Sequence, residues 1–126
     1  MIKLNRKEFD SAVRKAYRRI PIEIRERMGN VVLTVKRRPT QEMLASLGYP
    51  PDEPLLGLYE GASLLEHSFF ETPSFLPDRI YIFQEPLEEM CASLAELERE
   101  IEITVVHEIA HFLGIGEDRL TELGYG

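Results

Sequence analysis

The run from Ser93 to Gly114, "SLAELEREIEITVVHEIAHFLG", sets the firmest limit on the fold. Ser93 with Glu96 three residues on is a capping box, so a helix opens here. Leu94, Leu97, Ile101, Val105, Ile109 and Phe112 recur at helical spacing and give it an apolar stripe. Gly114 lies just past the expected end. This is the longest helical run in the chain, and its stripe must be covered by another layer.

The rest of the chain supplies that layer. Asn5 and Glu8 form another capping box, and Phe9, Val13, Ala16, Tyr17 and Ile20 follow at helical spacing. Pro21 restarts the chain at a favoured first-turn position, and "IEIRERM" reads as a short helix ended by Gly29. "VVLTVK" (Val31 to Lys36) is a β-branched strand. "TQEMLASLG" is a short helix with Gly48 past its end. "LLGLYEG" (Leu55 to Gly61) reads as a strand, with "ASLLEHS" as a hairpin partner. "FFETPSFLPD" reads as a surface loop, and "RIYIFQ" (Arg79 to Gln84) as a third strand. Pro86 suits the first turn of a short helix, and "EDRLTEL" one or two last turns. The expected fold is α+β (mixed α/β): a small sheet of about three strands packed on the long motif helix, with helices at the N-terminus.

With 126 residues, 44% apolar and 29% charged, residues 1–126 read as one globular domain with its own core. The single cysteine, Cys91, excludes an intrachain disulfide and every paired-cysteine zinc pattern; it reads as a small buried hydrophobe. A reducing compartment fits. The opening "MIKLNRKEFD" has no signal-peptide core and no stretch approaches a membrane span, so a cytoplasmic protein of bacterial or archaeal type is expected.

Charge is divided along the chain. Residues 1–38 hold 12 Lys+Arg against 4 Asp+Glu, residues 39–126 hold 3 against 18, and the net is −7. The main expectation is that the two halves pack together and neutralise each other. A nucleic-acid partner for the basic block is the secondary reading.

The chemistry lies in "VVHEIAHFLGIGEDRL". Residues four apart share a helix face, so His107 and His111 point the same way and can reach one divalent ion. Glu108 is rotated by about 100° but stays near that face, placed to hold and deprotonate a water. A catalytic zinc needs a third protein ligand. Gly114 permits a reversal that brings back the side chain six residues past His111, which is Glu117. Asp118 competes for that role, or orients a histidine, or caps the last turn. The alternative to a metal is a core helix with structural histidines, but His107, Glu108 and His111 among Val, Ile, Ala and Phe are costly to bury without a partner. His67 reads as a solvated loop residue, with a ligand role as the lesser option. The Tyr59 and Tyr81 hydroxyls can donate to an oxyanion, but strand tyrosines more often pack.

"LLGLYEG", "LPDRIYIF" and "VVHEIAHFLGIGEDRL" together resemble the small zincin-like metallopeptidase family of bacteria, over roughly the last 70 residues. The resemblance implies a compact zincin-like fold and a Zn2+ site. His107 and His111 match the family's histidine ligands and Glu108 its catalytic glutamate. Glu117 falls where the family usually has Asp and is the implied third ligand, with Asp118 beside it. Ordinary metzincins have a methionine turn downstream; no Met follows Asp118, so the floor under the metal must come from elsewhere. The endoribonucleases of ribosomal RNA maturation share part of "HFLGIGED", but there is no third histidine at the end here.

The expected function is therefore a zinc peptidase. A peptide or protein substrate would lie extended against an edge strand, with "LLGLYEG" as the candidate edge. A non-catalytic metal-binding domain and a metal-dependent endoribonuclease are the alternatives.

Overall fold

In the computed structural model, residues 1–50, 53–61 and 77–126 are described. They form α1 (Arg6–Arg19), α2 (Ile22–Met28), β1 (Val31–Lys36), α3 (Gln41–Leu47), β2 (Gly57–Glu60), β3 (Asp78–Phe83), α4 (Gln84–Met90), α5 (Leu94–Leu113) and α6 (Glu117–Glu122). The strands form one mixed sheet in the order β1-β3-β2. β1 runs parallel to β3 with Val31 opposite Asp78, and β2 runs antiparallel with Gly57 opposite Ile82. The α+β fold expected from the sequence is the fold observed.

Side-chain caps start α1, α3 and α5 where the sequence says they should. The Asn5 side chain accepts from the Glu8 N–H at 2.8 Å, and the Glu8 carboxylate accepts from the Asn5 N–H at 3.0 Å. The Ser93 hydroxyl accepts from the Glu96 N–H at 3.1 Å. Thr40 caps α3 in the same way, and Gly48 ends it in the left-handed conformation.

Helix α5 is the centre of the core. Leu97, Ile101, Val105, Val106, Ile109 and Ala110 are buried on it, facing Phe9, Ala12, Val13 and Ala16 of α1 and Ile80 and Ile82 of β3. Truncating a fully buried aromatic such as Phe9 costs about 3–5 kcal/mol, so this cluster dominates the fold's stability. Acids on the buried side of α5 are paired. Glu98 binds Arg19 at 2.9 Å and lies 4.0 Å from Lys15, both on α1. Arg37 and Arg38, after β1, bind Glu85, and Arg38 also binds Glu89. Four of the twelve basic residues of the N-terminal block, Lys15, Arg19, Arg37 and Arg38, thus meet acids of the later part of the chain, so the expected neutralisation is partial.

Four details differ from the sequence reading. Pro21 is the N-cap of α2 rather than its first residue; its carbonyl accepts from Ile24 and Arg25. Gln84 leaves the strand and opens α4, because its amide bridges the Leu4 carbonyl and the Glu88 carboxylate, each at 3.1 Å. Asp78, expected in the loop, starts β3. Phe112 and Leu94, assigned to the apolar stripe, are 52% and 43% exposed. Both lie at the ends of α5, its first and penultimate residues, while the core between them also takes in Val106 and Ala110. "ASLLEHS", including His67, and "FFETPSFL" lie outside the described residues. No described helix is long and apolar enough to cross a membrane.

β2 lies against α5 because Gly57 has no side chain. A Cβ there would meet Thr104 Cγ2 at 2.6 Å and the Tyr81 carbonyl at 3.1 Å. Gly57→Ala is expected to destabilise the protein by about 1–3 kcal/mol, the usual cost of overpacking, as read by urea denaturation.

Candidate functional site

The histidine motif occupies the last two turns of α5. Two residues of β2, an edge strand among the described residues, stand over it. Phe83 N–H donates to the Leu56 carbonyl, so Leu56 and Leu58 turn their backbone groups toward β3 while Gly57 and Tyr59 turn theirs away. The outward N–H of Tyr59 donates to Glu108 Oε1 at 2.9 Å. This bond ties the carboxylate to the edge strand.

Glu108 is half-buried beside Gly57. Two opposing effects act on its charge. Loss of solvent raises its pKa and is the larger; the Tyr59 N–H and the two neighbouring histidines lower it. Burial wins, so the carboxylate titrates above its ordinary range.

His107 is half-buried, and its Nε2 lies 2.6 Å from the Tyr125 carbonyl oxygen. A carbonyl only accepts, so Nε2 donates and carries a proton. Tyr125 is itself buried and clamped. Its hydroxyl donates to Glu102, one turn and a little more before His107. Arg99 binds Glu102 at 3.1 Å and the Gly124 carbonyl at 2.7 Å, and its guanidinium lies 5.0 Å from the Tyr125 ring centre. Burial and the Glu102 carboxylate push the Tyr125 hydroxyl up to about 12, so it stays a donor. The tail that follows α6 thus packs against His107.

His111 is exposed. Next to it, the Phe112 ring stacks on Tyr59 with centroids 4.4 Å apart and planes 16° from parallel. Tyr59 donates its hydroxyl to Asp78, which with burial holds it well above its ordinary pKa. Tyr81 OH lies 3.5 Å from Glu60. Each tyrosine hydroxyl therefore has a carboxylate partner, and it is the Tyr59 backbone that reaches the site.

The turn after α5 is as expected. Gly114 is left-handed at φ 72°, and Ile115 N–H donates back to the Ala110 carbonyl at 2.9 Å. α6 then begins at Glu117, with Gly116 as its N-cap, so Asp118 is not a cap. Glu117 and Asp118 both sit exposed in the first turn, where acids favour the helix dipole. Among the described residues no three His, Cys, Asp or Glu side chains converge as a metal-holding group. Glu108 is brought to the edge strand beside the histidine turn, but Glu117 is not drawn into a triad with the histidines. The donor chemistry still fits a borderline divalent ion: two imidazoles one helical turn apart, with a half-buried carboxylate between them.

A motif helix of this kind beneath the edge of a small mixed sheet defines a zincin-type architecture. The chain belongs to the zincin-like metallopeptidase family, whose model matches residues 28–126. That span begins well before the 70 residues that carried the resemblance and takes in β1 and α3, but leaves α1 outside. No curated protein matches the chain.

Sequence reasoning missed the Tyr59 N–H, since a backbone donor leaves no side-chain signature. It also missed the clamp of Arg99, Glu102 and Tyr125. The three-residue spacing of Arg99 and Glu102 was visible, but its link to Tyr125 is tertiary. In metal-free protein, Glu108→Gln is expected to be stabilising at neutral pH. Wild type folds best with Glu108 protonated, and that contribution is lost as pH rises through its raised folded pKa. The gain should shrink toward zero below the ordinary carboxylate range, as measured by urea denaturation across pH.

Proposed function

We propose that the protein is a zinc-dependent peptidase. The observation that carries this reading is the Glu108 carboxylate, half-buried beside two histidines and hydrogen-bonded to the Tyr59 N–H of β2. His107, His111 and Glu117 would hold the metal, with Asp118 the competitor for the third place. When bound, zinc supplies Lewis acidity, lowering the pKa of a water to roughly 7 and polarising a carbonyl.

Glu108 does the proton work. Its Oε1 is held by Tyr59, which fixes the carboxylate and leaves Oε2 to take a proton from the attacking water. Its raised pKa makes it a stronger base and brings it nearer neutrality, where the same proton can pass to the leaving amine. A peptide substrate pairs with the outward backbone of β2. Because the Tyr59 N–H is already engaged, the Tyr59 carbonyl and Gly57 are the groups left for strand addition. The buried lone Cys91 suits the reducing cytoplasm.

The alternative is a metal-binding but non-catalytic domain; in either, His107 ligates through Nε2 only once its bond to the Tyr125 carbonyl opens. A single set of variants separates the readings. His107→Ala and His111→Ala should each lower zinc affinity by more than about 100-fold, beyond the usual effect of a merely supporting residue. Glu108→Gln should keep one zinc per chain and lower cleavage of a peptide library by about 10²–10⁴-fold. Undiminished cleavage by Glu108→Gln removes the mechanism, and zinc binding with no cleavage by wild type selects the non-catalytic reading. Of Glu117→Ala and Asp118→Ala, the one with the larger loss of zinc affinity identifies the third ligand.

A further inference from the structure

The opposite edge of the sheet carries a second open surface. α1 packs on α5 and stands off from β1, leaving a groove of about 700 Å³ between them. Arg14, Tyr17 and Arg18 line the helix side; Val31, Leu33 and Val35 line the strand side. α1 lies outside the residues matched by the family, so the groove does not depend on the reading of the histidine motif.

Three features specify what fits it. The first is a strand edge that no other strand covers among the described residues. Arg6 Nη2 enters the groove and donates to the Val35 carbonyl at 3.1 Å, which shows that Val35 turns its backbone away from β3. By strand alternation, Val31 and Leu33 turn theirs into the groove as well. The second is unspent positive charge. Arg19, Arg37 and Arg38 are neutralised by carboxylates, and Arg6 is bound to Asp10, the one acid in the groove. Arg14 and Arg18, one helical turn apart and both exposed, have no carboxylate partner among the described residues. The third is a half-buried aliphatic floor from Val31, Leu33 and Val35.

We infer that this groove binds an extended acidic peptide segment of a partner protein, added as a strand to β1. Its backbone pairs with Val31 and Leu33, its apolar side chains meet the floor, and its carboxylates meet Arg14 and Arg18. Single-stranded RNA would need a row of stacking rings, and the groove offers only Tyr17. The net charge of −7 does not oppose an acidic ligand here, because distant charges are screened beyond about 8 Å at physiological salt.

The test is fluorescence anisotropy with the full chain carrying Glu108→Gln, so that no probe is cut. The probes are a dye-labelled octapeptide alternating Glu and Val, its Lys and Val counterpart, and an RNA octamer. The Glu peptide should bind, weaken as salt rises, and lose about tenfold or more with Arg14→Glu plus Arg18→Glu, which turns two attractions into repulsions. The Lys peptide should not bind. If the double reversal does not fold, Arg14→Ala plus Arg18→Ala should give a smaller loss in the same direction. Equal binding of the two peptides, unchanged affinity in the folded double variant, or tighter binding of the RNA would overturn the proposal. So would concentration-dependent dimerisation through these arginines with no peptide binding, which assigns the groove to a second copy.

Discussion

The hydrogen bond from Tyr59 N–H to Glu108 joins the two layers of the molecule, and much else follows from it. It forms only because β2 comes close to α5, and β2 comes close only because residue 57 has no Cβ. A carboxylate at the surface of a helix would keep its solvent and its ordinary pKa. Here the strand removes part of that solvent and returns one N–H. A charge-assisted hydrogen bond contributes about 1.5–3 kcal/mol, whereas the desolvation it offsets amounts to several for a charged group. The balance leaves a carboxylate oriented, partly dry and more basic than normal, which are the properties a general base needs.

Charge organises the other side of α5. The split between a basic beginning and an acidic remainder does not create two separate patches, because α1 and the turn after β1 lie beside α4 and α5. Arg19 meets Glu98, and Arg37 and Arg38 meet Glu85. Most of these pairs are exposed and contribute at most about 1 kcal/mol each. Glu98 differs, since it is buried on the core side and would be costly without Arg19. The arginines that remain unpaired on α1 are therefore not a diffuse excess. They are the two that face the edge of β1 instead of an acid.

Much of this architecture was legible in the sequence because it depends on local rules. The capping boxes at Asn5 and Ser93, the glycines at 48 and 114, and the β-branched run from Val31 act within a few residues, and each element appeared where it was read. The motif was legible because helical spacing alone places His107, Glu108 and His111. What was not legible depends on tertiary approach. Phe112 matches the stripe by period, yet it sits exposed against the Tyr59 ring because it falls in the last turn of the helix, at the end of the buried stripe. Gln84 continues an apolar run, and only the returning N-terminal segment at Leu4 makes a helix start there. The expected position of a third ligand followed from counting residues past a turn, but counting does not say which way a side chain points once α6 has begun.

The same distinction governs the tail. The tail brings Tyr125 against the first histidine, where its carbonyl accepts from the Nε2 of His107. This contact both orients the ring and occupies one of its nitrogens. The clamp behind it consists of a hydroxyl–carboxylate bond, a guanidinium on a carbonyl and a cation over a ring. Each contributes net about 0.5–3 kcal/mol, so together they amount to a few kcal/mol. Zinc bound in small protein sites contributes on the order of 10–16 kcal/mol. The clamp is thus strong enough to orient the ring, and too weak to bar an ion of that affinity from the histidine pair. On the proposed reading the tail would give way to a metal, while the Tyr59–Glu108 bond, made by the sheet, would stay in place.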